Sequence, residues 1–68
     1  MILSRIKELR KNNKLTQRQI AEKLNIPQRT YSHYENGTRT IPLEFIVNIA
    51  MIYNVTSDYI LELSDKKY

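Results

Sequence analysis

Five polar residues near the middle of the chain, Gln28, Arg29, Ser32, His33 and Asn36, fall at spacings that put them on one side of a helix. They supply two amides, a guanidinium, a hydroxyl and an imidazole, a set suited to recognition by hydrogen bonding. Catalysis is a poor reading of the same residues. Ser32 and His33 are adjacent, so on a helix they point in different directions, and no third group or oxyanion hole accompanies them. His33 is the sole histidine and the chain has no cysteine, so His33 lacks the histidine or cysteine partners that a metal site would recruit. No catalytic residue, metal or cofactor is therefore expected.

The elements that must carry these side chains are spelled out between Thr16 and Gly37. Thr16 and Gln19 have the spacing of a capping box, with Leu15 and Ile20 as its hydrophobic staple. Ile20, Ala21 and Leu24 then share one helical face. Asn25 suits a left-handed terminator and Pro27 forbids continuation, so the chain turns within about three residues before a second helix starts at Gln28. On this helix Thr30, Tyr31 and Tyr34 lie opposite the polar set. Gly37, the only glycine, ends it.

The flanks read as supports. Ile2 to Asn13 form a first helix with Ile2, Ile6 and Leu9 on its apolar stripe. Pro42 stands at the first turn of a fourth helix, whose stripe is Leu43, Ile46, Ile49, Ala50 and Tyr53. Asn54 ends that helix, and Thr56 caps a fifth running through Asp58, Ile60, Leu61 and Leu63. The fold class is all-α: five helices forming one domain over residues 1–64, followed by a frayed tail at 65–68.

A chain of 68 residues buries only ~60% of its unfolded surface, so the core must be small and no deep cleft is expected. The net charge of +4 is unevenly spread. Up to Arg39 nine basic residues face three acidic ones, whereas from Thr40 onward two face four. The positive half contains the two-helix unit, which suits a polyanionic partner. Lys7, Lys11, Lys14 and Lys23 read as a solvated face that steers at long range. No charged segment followed by a long apolar run opens the chain, so a soluble, cytoplasmic protein without membrane contact is expected.

The string LTQRQIAEKLNIPQRTYSHYENG, followed by IPLEFIVNIAMIYNVTSDYIL, resembles the Cro and phage-repressor (XRE-like) type of helix-turn-helix domain. Its marks are Leu15, Thr16, Gln17 and Ala21; Tyr31, Ser32, Tyr34, Glu35 and Gly37; and Ile49, Ala50, Asn54 and Val55. The resemblance implies a five-helix, lambda-repressor-like fold that binds operator DNA as a homodimer in a bacterial or phage setting. It places the third helix in the major groove, with Gln28 and Arg29 as leading base readers and Ser32 and His33 one turn on. Glutamine pairs with adenine N6 and N7, and arginine with guanine O6 and N7. Thr30 either touches a thymine methyl or packs; His33 is either a base contact or an inert exposed ring. Gln17 is expected on a phosphate with Arg18 beside it, and Asn36, Thr38 and Arg39 on the backbone at the other end. Arg10 and Glu35 match a structural ion pair of the family. Two departures stand out. Pro27 replaces a capping serine or threonine, and Tyr31 replaces an aliphatic residue.

The fourth helix is apolar around much of its circumference. Phe45, Val47, Met51 and Ile52, with Tyr59 and Leu63, are expected to form a dimer interface or a docking surface for another protein. The leading functional reading is a sequence-specific DNA-binding regulator, a repressor on a near-palindromic operator. The alternatives are an antitoxin or antirepressor-like module acting through its last two helices, or a restriction-modification control protein.

Overall fold

The computed structural model describes residues 3–67, with helices α1 (Ser4–Asn12), α2 (Gln17–Leu24), α3 (Gln28–Asn36), α4 (Leu43–Tyr53) and α5 (Ser57–Ile60) and no strand among them. Ile2, expected on the first stripe, and Tyr68, expected in the tail, lie outside the described residues. One core runs through every helix: Leu3, Ile6 and Leu9; Ile20, Ala21 and Leu24; Tyr31 and Tyr34; Ile41, Ile46, Ile49 and Ala50; Tyr59 and Ile60. The capping box forms as its spacing predicts. Thr16 Oγ1 accepts from the Gln19 amide at 3.1 Å, and the Thr16 amide donates to Gln19 Oε1 at 2.8 Å. Neither Pro27 nor Pro42 has a side-chain cap to offer, yet both sit at φ −62°, and α3 and α4 begin at the next residue.

All five helices among the described residues end in the same way. A residue at positive φ follows each one: Lys14, Asn25, Gly37, Asn54 and Glu62. The next amide then reaches back five residues, from Leu15 to Arg10 O, Ile26 to Ala21 O, Thr38 to His33 O, Val55 to Ala50 O and Leu63 to Asp58 O, at 2.9–3.0 Å. This is the Schellman motif, which satisfies carbonyls that the helix leaves open. Glycine and asparagine announce three of these stops. Lysine at 14 and glutamate at 62 do not, and both hold a conformation that disfavours a Cβ.

Four expectations are corrected. Leu43 is not on the core stripe: it is the first residue of α4, 67% exposed, and Ile41 from the preceding link is buried instead. Tyr59 is not part of a partner surface, because it is buried under the Arg5 guanidinium, 4.2 Å above its ring. Helix α5 stops at Ile60, and Glu62 at φ 62° reverses the chain before Leu63. Residues 65–67 are not frayed. Arg5 donates to Tyr59 O, Ser64 O and Asp65 Oδ1 at 2.8, 2.7 and 2.8 Å, and the Thr56 amide and hydroxyl donate to Lys67 O and Lys66 O.

Because Lys14 is strained and exposed, Lys14→Gly is expected to stabilise the fold by ~0.5–1 kcal/mol, the left-handed penalty less the entropy of an added glycine. Urea unfolding measures it, and a lower midpoint would show that the lysine bears no strain.

Candidate nucleic-acid interface

The turn Asn25–Pro27 sets α2 and α3 directly against each other. Helix α3 is anchored by its inner face, where Tyr31, Tyr34 and Glu35 are buried, and Tyr34 meets the Phe45 ring at 6.0 Å between centroids. That contact makes Phe45 partly a core residue, as Ile52 also is, although both were expected at a partner surface. The outer face is open. Gln28, Arg29 and Asn36 are exposed, Ser32 and His33 are half-buried, and together with Gln17 they line one shallow depression. Thr30 is half-buried and does not line it, and Thr38 and Arg39 are exposed just beyond α3. The structure thus gathers four of the expected base readers, Gln28, Arg29, Ser32 and His33, and two of the expected phosphate contacts, Gln17 and Asn36, on one surface. Arg18 stands apart, exposed and paired with Glu22 at 3.4 Å one turn along α2.

The orientation of this surface depends on a carboxylate behind it. Arg10 Nε donates to Glu35 Oε2 at 2.7 Å and Nη2 to Oε1 at 3.2 Å, a two-pronged pair expected from the sequence. Arg10 Nη1 also donates to Leu15 O at 2.9 Å, and Gln17 Nε2 donates to Glu35 Oε1 at 3.3 Å. One buried acid therefore joins the end of α1, the start of α2 and the last turn of α3. Gln17, expected only as a phosphate contact, is also part of this joint; its second amide hydrogen remains for an external acceptor. Burial alone would raise the pKa of Glu35, but hydrogen bonding from Arg10, helped by Gln17, outweighs it and holds the carboxyl below its ordinary value.

Two phenols close over the pair. The Tyr31 and Tyr53 hydroxyls are buried without a hydrogen-bond partner of good geometry. Burial raises both pKa values, with the Glu35 carboxylate adding to the shift; Tyr53 is pushed up to about 12. The extra bulk at Tyr31 is absorbed wholly inside, and its hydroxyl does not reach the surface. Residue types alone give little sign of this cluster, because Tyr53 approaches from α4, which is distant in sequence.

His33 and Thr38 form a further pair, with Nδ1 and Oγ1 2.7 Å apart. Asn36 Nδ2 donates to Ser32 Oγ at 3.4 Å. Among the described residues no group of three histidine, cysteine or acidic side chains is placed to hold a metal, and no helix is long and apolar enough to cross a membrane.

Residues 6–60 match the family model described as helix-turn-helix, and the chain belongs to that family. It is 43% identical over 65 residues to an uncharacterized HTH-type transcriptional regulator, YobD, of Bacillus subtilis, covering 96% of this chain and 58% of that protein. It is 41% identical over 56 residues to the antitoxin PezA of Streptococcus pneumoniae, 82% of this chain and 35% of that one. It is 34% identical over 55 residues to the cryptic phage CTXphi transcriptional repressor RstR of Vibrio cholerae, 81% of this chain and 50% of that one. The chain thus spans only part of the length of each of these relatives. No solved structure gives a significant match.

The joint behind α3 carries a sign. A carboxyl with a lowered folded pKa contributes stability that is present above its unfolded value of about 4.5 and is lost as pH falls through the folded value. Glu35→Gln should therefore flatten the acid limb of a stability–pH curve. Removing Arg10 instead, as Arg10→Met, strands a buried charge and should cost ~3–5 kcal/mol near neutrality. Denaturant titrations across acid pH measure both, and a wild-type acid limb in Glu35→Gln would contradict the assignment.

Proposed function

We propose that this chain is the DNA-reading domain of a sequence-specific transcriptional regulator, a repressor acting in the cytoplasm by occupying an operator. The observation that carries the reading is the surface that Gln17, at the start of the first helix of a helix-turn-helix, shares with Gln28, Arg29, Ser32, His33 and Asn36 on the outer face of the second. The names of YobD and RstR support it. In this reading α3 enters the major groove. Gln28 and Arg29 lead, Ser32 and His33 follow, and Thr30 borders a thymine methyl. Gln17, with Arg18, holds phosphate at one end and Asn36, Thr38 and Arg39 at the other. These contacts set register without naming a sequence.

A second copy of the chain completes a near-palindromic site, with the two recognition helices ~34 Å apart or at a multiple of that spacing. Support comes from α4, where Leu43, Val47 and Met51 recur every four residues and are exposed, Met51 by 75%, with Leu63 exposed as well. This stripe differs from the surface expected from the sequence, since Leu43 joins it while Tyr59 leaves and Phe45 and Ile52 are half-buried. The likeness to an antitoxin favours a second reading, in which the same stripe holds a different protein.

Selection from random duplexes at low salt tests the DNA reading. A two-fold related motif should emerge, Gln28→Ala should relax one position by ~1–3 kcal/mol, and Arg39→Ala should weaken all sequences alike. Failure to bind any duplex better than bulk DNA would refute it. For the stripe, Met51→Asp should convert a dimer to a monomer in sedimentation. A wild-type monomer that co-purifies with a stoichiometric second protein would instead favour the antitoxin-like reading.

A further inference from the structure

Among the outward residues of α3, His33 has its ring held by a side chain from outside the helix. Thr38 follows the left-handed Gly37, and the turn brings its Oγ1 to 2.7 Å from His33 Nδ1. The hydroxyl has one hydrogen and two acceptors within reach, Nδ1 and the carbonyl oxygen of His33 at 3.3 Å. That carbonyl is already engaged. It accepts the Gly37 amide, the Thr38 amide at 3.0 Å and the Arg39 amide at 3.3 Å, and a carbonyl oxygen has two lone pairs to offer. The shorter contact to Nδ1 is therefore the better use of the hydroxyl hydrogen. With Nδ1 accepting, the neutral ring carries its own proton on Nε2.

We propose that Thr38 is a positioning residue for base recognition: its hydroxyl fixes the His33 ring and tautomer so that Nε2–H is presented as a hydrogen-bond donor to the depression shared with Gln28, Arg29 and Ser32. The inference rests on the DNA reading above and replaces the phosphate contact given there to Thr38 with this positioning role. A donor at this point selects an acceptor on the base edge, guanine O6 or N7, adenine N7 or thymine O4, and rejects the amino group of cytosine. The sign is robust to protonation, because the charged ring also donates from Nε2, while Thr38 Oγ1 then rotates to accept from Nδ1. Thr38 therefore acts on sequence preference through its neighbour, which a phosphate contact would not do. Nothing else among the described residues hydrogen-bonds the ring.

Two measurements test the assignment. In the free protein, a long-range proton–nitrogen spectrum of the imidazole in mildly alkaline solution should show the proton on Nε2, and Thr38→Val should mix the tautomers. A wild-type spectrum with the proton on Nδ1 overturns the proposal without touching the DNA reading. In site selection, Thr38→Val and His33→Ala should lose preference at the same base pair, on the order of tenfold, and Thr38→Ser should restore it. If Thr38→Val weakens every duplex equally and leaves preference intact, Thr38 is a phosphate contact and the proposal fails. If the wild type prefers no duplex at all, the DNA reading fails and takes this assignment with it.

Discussion

The structure depends most on one buried carboxylate. Glu35 lies in the last turn of α3, with its side chain only 1% exposed, and receives two hydrogen bonds from Arg10 and one from Gln17. Arg10 also holds Leu15 O, where α1 gives way to α2. Three segments thus meet at one acid, which fixes the angle at which α3 leaves the body of the domain. A helix that reads hydrogen-bonding patterns must be held against rotation, since a small turn about its axis would exchange one row of side chains for another. Packing of Tyr31 and Tyr34 supplies the area, and the ion pair supplies the direction.

A second arginine on α1 does the corresponding work at the other end. Arg5 binds carbonyls of Tyr59 and Ser64, pairs with Asp65 and covers the Tyr59 ring. Helix α1 is therefore a beam with one clamp toward the two-helix unit and another toward the last helix and the segment after it. This changes the meaning of the basic half of the chain. Arg5, Arg10 and Arg18 are matched to acids within the domain, so the charge available to a polyanion is smaller than the residue count suggests. Arg29 and Arg39 have no ion pair among the described residues, and they bracket α3.

The parts of this fold that are legible in the sequence are those governed by local chemistry. Thr16 with Gln19, the left-handed stops at Asn25, Gly37 and Asn54, and the restart after Pro27 each depend on a few neighbouring residues, and each forms as its types predict. Proline costs α3 a side-chain cap without moving its start, because its fixed φ already suits the residue before a helix. The polar face followed from helical spacing, and the Arg10–Glu35 pair from family resemblance. What stayed hidden depends on distant partners. Tyr59 looked available for a second protein until Arg5 covered it, and Leu43 fits a helical stripe whose first position overhangs the core. The stop at Glu62 uses a residue that carries no glycine signal, and the tethered segment 65–67 depends on donors from Arg5 and Thr56.

In the proposed function, the outer face of α3, held by the Glu35 joint, is the surface that meets DNA. Titrating a selected duplex into nitrogen-labelled protein and following amide and side-chain resonances tests it most directly. The largest shifts should fall on Gln17, Gln28, Arg29, Ser32, His33 and Asn36, with Arg10 and Glu35 still paired and the α5 region little changed. Shifts concentrated instead on Leu43, Val47 and Met51, with α3 unaffected, would contradict it.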